Sequence, residues 1–220
     1  EEDMDGRVDM ILDGGSVDIG VESTIVDMTV TPPMILRPGA VTKGMLEAVI
    51  GEVQVDKTLL SECSIEAPKA PGMKYRHYAP KAPLTIVEGD IKDVVRAIKQ
   101  LAFAMHRQGK TAGIIASSET VSLYTSGIVK NIGTRASQSS IAKNLYKVLR
   151  EFDEESVDCI YSESFAADGI GRAVMNRLEK AAAHQIIDAA EVVKHQEYRR
   201  VVFVSTSDNC RGPVAAELLR

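Results

Sequence analysis

Apolar and polar positions follow two different rhythms along this chain, and the change of rhythm divides it. Up to about residue 56 the apolar runs are short. The run over 8–13, V-D-M-I-L-D, closes on Asp13-Gly14-Gly15 and predicts a strand ending in a tight turn. It is fit for a sheet interior, yet no initiator methionine or earlier element precedes it, so the N-terminus is expected to be the cut end of a longer unit. The stretch 21–28, V-E-S-T-I-V-D-M, predicts a second strand. Val21, Ser23, Ile25 and Asp27 share one face, and Glu22, Thr24, Val26 and Met28 the other. Residues 34–37 predict a third strand, closed by the turn pair Pro38-Gly39. Thr42 is placed to cap a helix with Met45, Leu46, Val49 and Ile50 at helical spacing, stopped by Gly51. Val53 and Val55 alternate in a last short strand.

From residue 84 the periods lengthen. Strands over 84–88, 111–116, 128–132 and 157–161 alternate with helices over 91–108, 140–152 and 170–183. The first helix carries Ile91, Val94, Val95, Ile98, Leu101, Ala102 and Met105 and ends at Gly109; the second turns Ile141, Leu145, Val148 and Leu149 inward. Such alternation predicts a small Rossmann-like parallel α/β sheet covered on both faces. The tail begins the pattern again, with a strand over 201–204, a polar loop over 205–212, and Pro213 in the first turn of a helix over 214–220. The fold class is α/β. Residues 1–56 form the C-terminal portion of a twisted α/β domain, 57–83 a proline-rich linker, 84–190 a second α/β domain, and 191–220 the start of another.

The linker holds the densest candidate chemistry. Residues 67–83 read A-P-K-A-P-G-M-K-Y-R-H-Y-A-P-K-A-P, with Pro68, Pro71, Pro80 and Pro83 among the chain's 8 prolines. Proline fixes its own φ and biases its predecessor toward extended backbone, so the segment is expected to be a stiff strap. On an extended chain Tyr75 and His77 face one way, and Lys74, Arg76 and Tyr78 the other. Both faces suit an anion or a stacked base, as in a strap laid over a nucleotide. Composition alone favours a solvated interdomain spacer; the flanking sequence shifts the balance toward the strap.

Composition narrows the classes. With 45% hydrophobic and 26% charged residues the chain is an ordinary globular protein, and a net charge of −5 argues against a general nucleic-acid coat. Cys63, Cys159 and Cys210 lie far apart with no C-x-x-C, which points away from zinc or disulfides and toward a reducing cytoplasm. No apolar run reaches the roughly 20 residues of a membrane span, and Glu1-Glu2-Asp3 is unlike a signal peptide. Asp168-Gly169-Ile170-Gly171 is not read as a dinucleotide fingerprint. The sixth position is Val174, and Asp168 as helix N-cap with two packing glycines accounts for it. In the tail, Arg211 in a polar loop before a helix suits a phosphate.

Four motifs in order, I-L-D-G-G, V-E-S-T-I-V-D, I-L-R-P-G-A and G-M-K-Y-R-H-Y-A-P-K, make residues 8–83 resemble the two-domain threonylcarbamoyl-AMP synthases of the YrdC-like family. Residues 84–190, with N-L-Y-K-V-L-R-E-F-D and M-N-R-L-E-K-A-A, resemble that family's C-terminal domain. The resemblance implies synthesis of threonylcarbamoyl-AMP from L-threonine, bicarbonate and ATP with Mg2+, releasing pyrophosphate. It also implies a route to tRNA modification, with tRNA and tRNA-modification proteins as partners. It places Ser23 and Thr24 at threonine, and Arg37 at ATP together with Lys74, Tyr75, Arg76 and His77 of the strap. No covalent nucleophile is required; the protein orients reactants, neutralises charge and excludes water. The family's basic K-x-R segment and serine-rich ATP loop would lie before Glu1, so the 220-residue chain is expected to be inactive alone.

The tail F-V-S-T-S-D-N-C-R-G-P resembles the opening of low-molecular-weight protein tyrosine phosphatases, where F-V-C-x-G-N-x-C-R-S-P is usual. Ser205 stands at the nucleophile position and Cys210 does not, so the Ser205–Cys210–Arg211 loop reads as a degenerate phosphate loop. Two other readings stay open: a nucleotide- or tRNA-binding module without catalysis, and a phosphatase acting through the tail.

Overall fold

Two sheets of different character organise the structure, a computed structural model that describes residues 4–15, 17–59 and 79–197. The first has three strands, β1 (Ile25–Asp27), β2 (Met34–Arg37) and β3 (Gln54–Val55), in that order. β1 runs antiparallel to β2, and β3 parallel to it. The strand expected over 21–28 shrinks to three residues. Its partner β2 is only four long, and the register is used up between Ile25↔Arg37 and Asp27↔Met34.

Helix α1 (Lys43–Ile50) forms where its caps predict. Thr42 accepts the Met45 N–H at 3.3 Å, and Gly51, at φ 81°, donates its N–H to Glu47 O. No residue of α1 is buried, however, and Met45, Val49 and Ile50 are exposed. The strand expected over 8–13 is absent. Val8, Met10, Ile11 and Leu12 lie exposed, with no strand among the described residues beside them. Only the turn survives there, as Gly15 donates to Asp13 Oδ1 at 2.8 Å.

The second sheet comprises β4 (Leu84–Glu88), β5 (Ala112–Ser117), β6 (Ile128–Gly133), β7 (Cys159–Glu163) and β8 (Ile186–Asp188). Its order is β6-β5-β7-β4-β8, and every pairing is parallel. α2 (Ile91–Arg107) and α5 (Ala189–Glu197) cover one face, burying Val94, Ala97, Ile98 and Ala102 against Val87 and Ile114. α3 (Gln138–Glu154) and α4 (Gly171–Ala181) cover the other, where Leu145, Leu149 and Leu178 meet Ile86, Ile115 and Ile160. Each such side chain, fully buried, contributes about 1.5–3 kcal/mol over its exposed state. The crossover from β4 to β5 through α2 steps one way along the sheet, and those from β6 to β7 and from β7 to β8 through α3 and α4 step the other, so right-handed connections put α2 on one face and α3 and α4 on the opposite one. Counted from β4 the order is 3-2-4-1-5, not the 3-2-1-4-5 of a dinucleotide-binding sheet.

Three local expectations change. β8 and α5 were not foreseen, and Ala189, Val192 and Val193 of α5 pack with the α2 core. Residues 191–197 therefore continue this unit instead of opening a new one. Asp168 does not cap α4. The N-cap is Ile170, and Gln138 of α3 accepts the Gly171 N–H at 3.0 Å while donating to Asp168. Gly171 does pack as expected, since a Cβ there would lie 2.0 Å from Ala166 O. The tail strand, loop and helix over 201–220 lie outside the described residues.

Candidate functional site

The antiparallel pairing that sets Ile25 opposite Arg37 brings two distant motifs into contact. Arg37 donates from Nε to the Ser23 carbonyl at 3.0 Å and from Nη2 to Ser23 Oγ at 3.2 Å. Thr24 Oγ1 donates to Val41 O at 2.7 Å, tying the E-S-T segment to the loop before α1. Between these contacts the L-R-P-G turn presses on the E-S-T backbone. A Cβ on Gly39 would sit 2.4 Å from Thr24 N and 2.5 Å from Glu22 O, so only glycine lets the chains approach. Ser23 is exposed and Arg37 half-buried, which leaves a hydroxyl and a guanidinium side by side and reachable.

The same segment is held from behind by the second unit. Val21 is buried in the core of α3 and α4, beside Leu145 and Leu178. Gly20 packs so close to α3 that a Cβ would lie 2.6 Å from the carbonyls of Ala142 and Lys143. Glu22 Oε2 accepts from Tyr146 Oη at 2.6 Å and from Arg177 Nε at 2.7 Å. Arg177 Nη1 donates to Pro38 O at 2.8 Å and to Asn176 Oδ1 at 3.2 Å. Burial raises the Glu22 carboxyl, but the hydrogen bonds from Tyr146 and Arg177 outweigh it and hold the group below the usual carboxylate range. Burial, then the bond to Glu22, pushes the Tyr146 hydroxyl up. Burial, then the Arg177 charge, pulls the Lys180 ammonium down.

Beside the L-R-P-G turn a cavity of about 760 Å3 opens between the units, lined by Pro38, Gly39, Lys43, Lys57, Asp168 and Arg172 among others. A second polar centre lies at the C-terminal edge of the parallel sheet. Buried Glu163 accepts from Ser117 N at 3.3 Å, Ser117 Oγ at 3.1 Å, Tyr124 Oη at 2.7 Å and Arg135 Nη2 at 2.7 Å, and also from Thr120. With so many donors its oxygens are satisfied, so it pins the loops after β5 and β6 rather than awaiting a ligand. Among the described residues no group of three or more His, Cys, Asp or Glu is arranged to hold a metal.

Of the residues singled out in the sequence, Ser23, Thr24 and Arg37 converge. Lys74, Tyr75, Arg76 and His77 of the strap, and Ser205, Cys210 and Arg211 of the tail, lie outside the described residues. Glu22, Tyr146 and Arg177 were missed. One signal was available for Arg177, a charged residue on the apolar stripe of Val174, Leu178 and Ala181.

Comparison with known proteins bears on most of the chain. The family model described as threonylcarbamoyl-AMP synthase, C-terminal domain, matches residues 41–183, and one described as telomere recombination matches residues 1–39. The threonylcarbamoyl-AMP synthase of Bacillus subtilis (strain 168) is 44% identical over 185 residues, covering 84% of this chain and 52% of the relative. That of Pyrococcus abyssi is 42% identical over 186 residues, covering 84% and 53%. The chain spans about half the length of the curated relatives it matches. Among solved structures, P. abyssi Sua5 complexed with L-threonine superposes with a TM-score of 0.75 at 41% identity, covering 85% of this chain and 53% of the other. A P. abyssi Sua5 variant with a His and a Tyr replaced by alanine gives 0.71 at 40% identity, covering 80% and 48%. No helix among the described residues is long and apolar enough to cross a membrane.

Proposed function

The chain belongs to the threonylcarbamoyl-AMP synthase family, and from that premise we propose that it supplies one wall of an L-threonylcarbamoyladenylate synthase site. The observation that carries this is the Ser23–Arg37 pair: a hydroxyl and a guanidinium from separate motifs, hydrogen-bonded to each other and reachable. L-threonine, the ligand of the P. abyssi structure, has a hydroxyl, an ammonium and a carboxylate that small polar partners recognise. Ser23, with Thr24 beside it, takes that role. Arg37 has five N–H donors, more than Ser23 consumes, and serves the phosphates of ATP. Mg2+ would accompany the ATP phosphates and offset their charge.

The reaction follows from charge. Bicarbonate and the threonine amine condense to a carbamate with loss of water, and a carbamate oxygen attacks the α-phosphorus of ATP. The bond to the β-phosphate breaks and pyrophosphate leaves. The protein neutralises developing charge, aligns the reactants and keeps water from a labile mixed anhydride. Lys74, Tyr75, Arg76 and His77 act from the strap as the cover over the bound adenylate. The product then passes to an adenosine of tRNA, which makes tRNA and its modification proteins the downstream partners. The tail is a separate matter. The motif holding Ser205, Cys210 and Arg211 reads as a phosphate-loop relic, and Ser205→Cys with an aryl phosphate assay tests for latent hydrolysis.

The test of the synthase is threonine- and bicarbonate-dependent pyrophosphate release from ATP by the full-length protein. Arg37→Ala is expected to lower the rate on the order of 100-fold, as for loss of a charge-stabilising donor. Ser23→Ala is expected to raise KM for L-threonine. Pyrophosphate release that ignores threonine, or unchanged kinetics in both variants, overturns the proposal.

A further inference from the structure

We propose that Arg177 is a positioning residue of this site, clamping from α4 the residues that adjoin Ser23 and Arg37. The inference rests on the synthase reading for what the site binds, but the clamp itself is visible in the contacts. One arm of the guanidinium, Nε, reaches Glu22 at 2.7 Å; another, Nη1, reaches the Pro38 carbonyl at 2.8 Å. Glu22 immediately precedes Ser23, and Pro38 immediately follows Arg37. One side chain of the second unit thus holds both motif segments at the residues next to the functional ones. Tyr146 of α3 adds its hydroxyl to the same Glu22 oxygen at 2.6 Å.

Three observations mark this as more than a surface ion pair. Arg177 is only 6% exposed. Among the described residues its buried Nη2 has no hydrogen-bond partner, so the guanidinium is oriented for Glu22 and Pro38 and not for its own satisfaction. The backbone it grips has no slack, since Gly20 abuts α3 and Gly39 abuts residues 22–24. Loss of the clamp therefore releases the Ser23–Arg37 geometry instead of shifting a loose loop. Planar, two-armed recognition of a carboxylate and a carbonyl needs arginine; lysine, a point charge, holds one arm at most.

The experiment compares the full-length wild-type protein with its Arg177→Lys, Arg177→Ala, Glu22→Gln and Arg177→Ala/Glu22→Gln variants. The double variant guards against misfolding caused merely by stranding the half-buried Glu22 carboxylate. Amide hydrogen exchange is read at residues 22–25 and 37–41, with β5 and β7 as internal controls. Arg177→Ala is expected to speed exchange at those two segments on the order of 10- to 100-fold while the controls hold, with Arg177→Lys intermediate. In the synthase assay KM for L-threonine is expected to rise in Arg177→Ala and in Glu22→Gln, less so in Arg177→Lys, and the double variant to be no worse than the worse of its two parent singles. Unchanged exchange at 22–25 and 37–41, or equal acceleration in β5 and β7, overturns the clamp. So does faster local exchange in an enzyme whose KM for threonine stays put. If wild type turns over no threonine the synthase reading fails, and the exchange arm alone decides the clamp.

Discussion

Glu22 sits between two donors and at the seam of two units, and its ionisation has a signature. Burial opposes its charge, but Tyr146 and Arg177 prevail, so its folded pKa lies below the ordinary 4.5. A carboxyl depressed on folding stabilises the protein fully above its unfolded pKa, and that stabilisation fades as pH falls through the folded value. Thermal unfolding from pH 7 to pH 3 is therefore expected to lose stability below about pH 4.5, with Glu22→Gln removing part of that acid limb. Superimposable acid limbs for the two proteins would deny Glu22 this role. Gly39 makes a second claim at this scale. Gly39→Ala drives a Cβ to within 2.4 Å of Thr24 N, a backbone atom that cannot swing aside. The expected cost is about 1–3 kcal/mol in a denaturant melt. Ser23 and Arg37 were legible as motif residues, but nothing local announces Arg177 as the partner of Glu22, because 155 positions separate them.

Two helices with the same apolar spacing behave in opposite ways. α3 buries Ile141, Leu145, Val148, Leu149 and Phe152 against the parallel sheet, whereas α1 buries nothing. Leu145→Ala is expected to cost about 2–5 kcal/mol in chemical denaturation. Met45→Ala, at a position of like periodicity, is expected to change stability by no more than about 0.5 kcal/mol. Thr42→Ala removes the hydroxyl that accepts the Met45 N–H, and about 1 kcal/mol of local stability should show as faster amide exchange confined to the first turn of α1. Equal sensitivity at positions 45 and 145 would mean that α1 is covered after all. Periodicity specifies that a stripe exists; whether anything meets the stripe depends on the neighbours. The strand expected over 8–13 fails for that reason, and β8 was missed because three residues carry no period.

At the scale of the molecule, the segment Gly20-Val21-Glu22 is the joint. It leaves the three-stranded sheet, plugs Val21 into the core of α3 and α4, and places Ser23 just outside that core. Gly20→Ala would force a Cβ against two carbonyls of α3 at 2.6 Å. It is expected to lower Tm and to weaken threonine-dependent turnover together; a lowered Tm with intact turnover would show that the joint bears on stability alone. The sequence by itself determined α2, α3, α4 and β4 to β7 of the second unit, the caps of α1, the Ser23 and Arg37 motifs and the packing of Gly171. Each of these is dictated within a few residues, by period, φ preference or the absence of a side chain. Only the tertiary structure decided the strand order, the exposure of α1, the burial of Val21 and the grip of Arg177 on both motif flanks. Those depend on which surfaces meet across long stretches of chain, and no local pattern encodes the partner.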